Sequence, residues 1–303
     1  MSQSATGPRG PEAGMSADAF ARHRSLLFTV AYEMLGSASD AEDVVQETWL
    51  RWDRVDHSEV REPRAYLVRI VTRQALNRLR TMARRREDYV GEWLPEPLLT
   101  SPDVAADVEL AENVSIAMLT VLETLAPAER AVFVLREVFD LPYDEIAEAV
   151  GKSATAVRQI AHRARDHVTA RRPRMPVTTT EQQEAVERFL AAARDGDLQG
   201  LLDVLAPDVV LVADGGGLVP AALRPIQGAE RVAALLAGLA RQTVLDTKAI
   251  WLNGSPAVRI DIDGELSTAV SLAVEDGRIT RIFAIRNPNK LAGLDHAAAL
   301  TRS

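Results

Sequence analysis

Three dipeptides near the end of the chain constrain its fold more than any other feature. Asn253-Gly254, Asp263-Gly264 and Asp276-Gly277 are each flanked by strand-like runs such as AVRIDI, STAVSLAV and ITRIFAI. Both central residues of a two-residue hairpin need positive φ, which Asn-Gly and Asp-Gly tolerate best. Three such centres in succession predict a four-stranded antiparallel meander beyond Gln242. Before it the pattern gives two short helices (Glu181 to Arg194, Leu198 to Leu205), a strand at Val209–Val212 and a helix from Ala229 to about Arg241. This last third is therefore α+β, whereas everything before it reads as helical. At 303 residues the chain has room for two or three domains, and no internal repeat is visible.

Composition narrows the setting. The chain has no cysteine, so disulfides, thiolate metal sites and thiol nucleophiles are excluded, and a reducing cytoplasm fits best. The opening, MSQSATGPRGPEAG, is polar, and no run of about 18 apolar residues occurs, so neither a signal peptide nor a membrane span is expected. The net charge of -8 is unevenly spread. Arg61 to Arg86 holds nine arginines and one acid, and Lys152 to Arg174 holds seven basic residues and one acid. Between them, Asp103 to Glu148 carries eleven acids and two arginines. Two basic blocks in an acidic chain suit local contacts to phosphate, although either alone would read as a solvated helix face.

The helical part divides by its punctuation. Residues 1–17 read as a disordered tail. Leu26, Leu27, Val30, Ala31 and Met34 recur at helical spacing up to a stop at Gly36. Ser39 with Glu42 predicts a capping box opening a helix through Trp52, and Pro63 begins a third helix. Residues 87–103, with three prolines and no helical stripe, read as a linker. Its Trp93-Leu94-Pro95-Glu96-Pro97 centre is apolar enough to dock. A second helical block covers 104–172, a short linker 173–180, and the α+β domain 181–303.

The sharpest local signal runs from Leu141 to Ile160. A short helix ends at Gly151, and Ser153 caps a second helix with apolar positions Val157, Ile160, Ala161, Ala164 and Val168, which makes a helix-turn-helix. Its other face offers Thr155, Arg158, Gln159 and His162, side chains that read base edges, while Lys152, Arg163 and Arg165 suit phosphates. On the third helix Arg69, Arg73 and Asn77 follow at intervals of four, extended by Arg80 and Arg84, forming a stripe for a nucleic-acid backbone. Trp49 and Trp52 precede it, and the loop from Arg54 to Arg61 could receive an unpaired base, although at least one of these tryptophans belongs to the core. Asp40, Glu42, Asp43 and Glu47, around Gln46, fit either dipole complementarity in a first turn or a protein-docking face.

Taken in order, DAEDVVQETWLR from Asp40, PRAYL from Pro63, LAPAERAVF from Leu125 and the helix-turn-helix resemble bacterial sigma factors of the extracytoplasmic-function class, over about residues 18–172. The resemblance implies that Asp40, Glu42, Asp43, Gln46 and Glu47 grip core RNA polymerase at the β′ clamp helices, with the β subunit a further partner. It implies that Arg61, Arg64, Arg69, Arg73, Asn77, Arg78 and Arg80 engage the −10 promoter element. Lys152, Ser153, Thr155, Arg158, Gln159, His162 and Arg163 would read the −35 element.

The remainder resembles a branch with a SnoaL-like cone, a curved antiparallel sheet with helices, fused behind the second sigma domain. Three motifs carry that likeness: Trp93-Leu94-Pro95-Glu96-Pro97, Asp214-Gly215-Gly216-Gly217, and Asn287-Pro288-Asn289-Lys290-Leu291, the last with Asn289 where Asp is usual. The resemblance implies that the cone regulates the sigma domains within one molecule, with Trp93, Leu94, Pro95, Asp214, Gly215, Asn287, Pro288 and Lys290 at or near the contact. Tethering makes even a weak contact count, because effective concentrations are millimolar. Relatives of the cone include cyclases and isomerases, so Asp214 is also the acid/base candidate. The alternative, an Asp opening a glycine turn, is preferred. Neither His167 nor His296 sits on an expected pocket strand, and no catalytic residue, metal or cofactor is expected. A small-molecule ligand in the cone stays open.

Overall fold

The computed structural model describes residues 11–171, 178–242 and 245–302. Most of the expected tail and of the 173–180 linker lies outside them. Helix α1 (Pro11–Leu35) begins inside the stretch read as tail, with Pro11 as its first residue, a position that tolerates the missing N–H. It stops at Gly36, whose φ of 66° is the left-handed stop the sequence predicts. The cap of α2 (Ala38–Trp52) is Ser37 rather than Ser39. The Ser37 hydroxyl accepts from the Asp40 N–H, and Ser39 instead turns its hydroxyl to Glu96. The local signature missed this because the competing acceptor arrives from 57 residues away. With α3 (Pro63–Glu87), these helices bury Leu27, Val30, Val44, Val45, Leu67, Val71 and Ala75.

After the extended segment 88–101 come a 3-10 turn (Pro102–Ala106), α4 (Val108–Val114), α5 (Ile116–Leu122), α6 (Pro127–Phe133), a π turn (Val134–Val138), α7 (Tyr143–Val150) and α8 (Ala154–Thr169). The helix-turn-helix is as its sequence reads: Gly151 is left-handed, the Ser153 hydroxyl accepts from the Ala156 N–H, and Val157, Ile160, Ala161, Ala164 and Val168 are all buried. Both helical units contribute to one continuous apolar core.

The α+β domain holds α9 (Thr179–Asp195), α10 (Leu198–Val204), β1 (Leu205–Asp214), β2 (Ile226–Gln227), α11 (Ala229–Gln242), β3 (Asp246–Leu252), β4 (Ser255–Ile262), β5 (Glu265–Glu275), β6 (Arg278–Ile285) and α12 (Pro288–Leu291). Its sheet order is β2-β1-β6-β5-β4-β3. The meander β3 to β6 is antiparallel, and its three turns have positive φ at Asn253, Asp263 and Asp276 and at the glycine after each. The parallel pairing of β1 with β6 was not legible, because it joins segments about seventy residues apart. Alternation along the strands gives the sheet two apolar faces. One, with Val209, Val258, Val270 and Ile282, packs on α9, α10 and α11 through Phe189, Leu201 and Val232. The other, with Val212, Leu252, Ala257, Ala269, Phe283 and Ile285, buries Leu94 of the linker and Ile116 of α5.

Candidate functional site

The three short motifs meet in one buried polar cluster. Parallel pairing with β6 sets Asp214, at the end of β1, opposite Ile285, and the Asp214 carbonyl accepts from the Arg286 and Asn287 N–H groups. This fixes the start of α12, whose cap Asn287 accepts from the Asn289 N–H. The Asp214 side chain is fully buried. One carboxylate oxygen accepts from the Tyr89 hydroxyl at 2.6 Å and the Gly216 N–H at 3.0 Å. The other accepts from the Leu94 N–H at 2.9 Å and from Lys290 Nζ at 2.6 Å. Lys290, also buried, donates to the Leu94 carbonyl and lies 3.3 Å from the centre of the Trp93 ring. Burial and the Asp214 carboxylate push the Tyr89 hydroxyl well above its usual range. Asn287 donates to the same hydroxyl at 2.8 Å. Glycine is obligatory beside the cluster: Gly216 has φ of 60°, and a Cβ there would stand 2.2 Å from Asn287 Nδ2. Pro95 is buried, whereas Pro288 and Asn289 are exposed, and Asn289 meets the cluster through its N–H, which donates to Asn287.

A second contact was not foreseen. The β3–β4 hairpin tip, read only as a turn, inserts into the helical part. Asn253 is buried; its side-chain oxygen accepts from the Leu98 N–H, and its amide donates to the Tyr32 hydroxyl and the Val114 carbonyl. A Cβ on Gly254 would sit 2.8 Å from Ala111. Glu96, the acid within the linker motif, closes the α2 N-terminus by accepting from the Ala38 and Ser39 N–H groups and the Ser37 and Ser39 hydroxyls. The linker thus ties the α+β domain to α2; Glu96 falls within the Trp93 to Pro97 segment expected at the contact, whereas Tyr89 and Asn253 are the residues sequence reasoning left out of the site. The signal for Glu96 was its place between two prolines; for Asn253 there was none beyond the turn.

The surfaces assigned from the helices stand apart from this cluster. On α2, Asp43, Gln46 and Glu47 are exposed and Asp40 and Glu42 half-buried. Arg78 does not share the stripe of Arg69 and Arg73: it faces α2, within 3.3 Å of Asp40, Asp43 and Glu47. A single step along the helix turns a side chain by roughly 100°, which carries Arg78 off the face that Asn77 shares with Arg73. Arg69 and Arg73 contact Glu148 of α7, while Asn77 and Arg80 are exposed and bonded to each other, and Arg61 and Arg64 flank the loop before α3. On α8 and its cap, Lys152, Ser153, Thr155, Arg158, Gln159, His162 and Arg163 are all exposed. Arg165 is instead paired with Glu137 at 2.7 Å.

Among the described residues no helix is long and apolar enough to cross a membrane, and no group of three or more His, Asp or Glu could hold a metal ion.

Sequence comparison decides the family. The Sigma-70 region 2 model matches residues 19–86, and the Sigma-70, region 4 model matches residues 115–168. The chain is 38% identical over 299 residues to the ECF RNA polymerase sigma factor SigJ of Mycobacterium tuberculosis, covering 92% of this chain and 94% of that one. The chain belongs to the ECF sigma factors. It is 33% identical to the probable ECF RNA polymerase sigma factor SigI of the same species, over 90% of this chain and 93% of that one. The crystal structure of M. tuberculosis SigJ superposes with a TM-score of 0.76 at 34% identity, covering 92% of this chain and 99% of that one. Two sigma domains followed by a SnoaL-like α+β domain are the architecture, and promoter-specific initiation of transcription with RNA polymerase is the function.

Proposed function

We propose that the SnoaL-like domain of this ECF sigma factor is an intramolecular clamp. It restrains the two sigma domains through the linker that joins them. The observation that carries this reading is the burial of Asp214 and Lys290 against Leu94, with Trp93 over the ammonium. A linker that donates to one buried carboxylate from the Tyr89 hydroxyl and the Leu94 N–H, and accepts from the paired Lys290 at the Leu94 carbonyl, cannot swing freely, so the domains on either side of it are kept close. Asp40, Glu42, Asp43, Gln46 and Glu47 form the face offered to the β′ clamp helices of core polymerase. Arg61, Arg64, Arg69, Arg73, Asn77 and Arg80 serve the −10 element, and the exposed face of α8 serves the −35 element.

The test is transcription in vitro with core RNA polymerase at stated salt, comparing the full chain with Asp214→Ala and with Lys290→Met. A clamp predicts that both variants change the yield from a cognate promoter by about tenfold or more, the scale set by losing one buried charged hydrogen bond. Unchanged yields from folded variants would remove the clamp.

A second reading is supported by a cavity of about 420 Å³ beside the cluster, lined by Val90, Gly91, Ala213, Gly215, Leu218 and Leu223. That size suits a small apolar ligand, which would touch linker and glycine loop together and so gate the clamp. The enzyme reading gains less. Asp214 already accepts four hydrogen bonds, one from a lysine, which leaves it poorly placed to exchange protons with a substrate.

A further inference from the structure

The two nucleic-acid faces are treated differently by the chain itself. On α3, Arg69 and Arg73 lie one turn apart and reach the same residue of α7. Arg69 donates to the Glu148 carboxylate at 3.0 Å and Arg73 to the Glu148 main-chain carbonyl at 2.8 Å. That carbonyl belongs to the last turn of α7. The N–H groups of Gly151 and Lys152, which close the helix, both go to the Ala147 carbonyl. A helix C-terminus carries partial negative charge, so α7 offers the arginines a carboxylate and a last-turn carbonyl from one exposed residue. Two guanidinium groups one turn apart, one on a carboxylate and one on a carbonyl at a helix C-terminus, resemble two arginines on a nucleic-acid backbone. The cleft alongside is lined by Arg61 and Arg69 together with Asp56, Glu59 and Glu62, and by Glu145 and Glu148 of α7.

We propose that the last turn of α7 stands in for promoter phosphate on the α3 arginines, so that the closed chain masks its own −10 face while its −35 face stays open. This rests on the assignment of α3 to the −10 element given above. The mask is built from the helix-turn-helix, so the contact must break when the two domains separate along a promoter. Its exposure makes it exchangeable: the Glu148 side chain is 66% exposed and that of Arg69 35%. A phosphate backbone can displace it without first reaching a buried pair.

The experiment is fluorescence anisotropy on the full chain at several salt concentrations, with a labelled 20-nucleotide oligo-dT strand and a labelled 20-base-pair duplex of mixed sequence. Glu148→Ala is expected to tighten oligo-dT binding about threefold, the scale of one exposed ion pair. It should also steepen the dependence of log K on log salt by about 0.7, one further phosphate contact on a single strand. Duplex binding, through α8, should not change. Asp144→Ala removes the same charge from an exposed position of α7 and should do neither. If Glu148→Ala and Asp144→Ala behave alike on oligo-dT, the mask is overturned and the promoter assignment stands. If adding Arg69→Ala and Arg73→Ala to Glu148→Ala leaves oligo-dT binding as tight, α3 is not a nucleic-acid face and both readings fall.

Discussion

Two acid–base contacts of this chain, Asp214 with Lys290 and Glu148 with Arg69, differ sharply in burial and in the partners around them. Asp214 and Lys290 are buried, with side-chain exposures of 0% and 7%, and each has further partners on the linker. Glu148 and Arg69 meet in solvent across the two sigma domains. The first cannot be exchanged for water without leaving a charge stranded. The second exchanges readily and is weakened by salt. Under the clamp and mask proposed above, the two have separate tasks: one fixes where the linker sits, the other sets how easily the sigma domains part.

The comparison breaks most visibly at the buried pair. Asp214→Ala removes the counter-charge of the buried Lys290 ammonium and the acceptor of the Tyr89 O–H and the Leu94 N–H, so it is expected to cost about 3–5 kcal/mol in urea unfolding of the full chain. The double variant Asp214→Ala with Lys290→Met leaves no unpaired charge and should recover part of that loss. A double variant worse than the single one would show that the charges do not act as a pair.

A third acid sharpens the contrast, because it is buried without a hydrogen bond. Glu33 of α1 is fully buried, neither of its carboxylate oxygens accepts a hydrogen bond, and burial raises its pKa to about 8 against the pull of Arg130 and Arg302. Arg130, from α6, is itself buried and donates to the Glu33 carbonyl and to Glu123 rather than to that carboxylate. The folded chain therefore keeps the Glu33 proton up to about pH 8, whereas the unfolded chain releases it near 4.5. Stability from this group is present below pH 4.5 and is lost as pH rises through 8. Glu33→Gln should remove that fall and leave the chain more stable than wild type at pH 9 by roughly 2–4 kcal/mol, with little difference at pH 5. Parallel urea midpoints for the two proteins across this range would contradict it.

What could be read from the sequence follows the range of the interaction. The helix-turn-helix was legible residue by residue because Gly151, Ser153 and the buried face of α8 act within twenty residues. The hairpins were legible because Asn253, Asp263 and Asp276 declare their own backbone. Ser37 in place of Ser39 as a cap, the inward turn of Arg78 and the insertion of Asn253 all depend on partners brought in by the tertiary fold. Asp214 and Lys290 lay in motifs expected at a contact, yet no spacing rule could have shown that they pair with each other, 76 residues apart.

The smallest expected effect completes the contrast. Glu148→Ala removes an acid that is two-thirds exposed, and Arg73 keeps the Glu148 carbonyl, since any side chain leaves the backbone acceptor in place. Its urea midpoint should match wild type to within about 0.5 kcal/mol, as for most surface substitutions. A mutation silent in unfolding and visible in single-strand binding would place the α3–α7 contact on the pathway to DNA rather than in the stability of the fold. A loss of 2 kcal/mol or more would mean that the exposed contact is structural after all, and that the two ion pairs do one task rather than two.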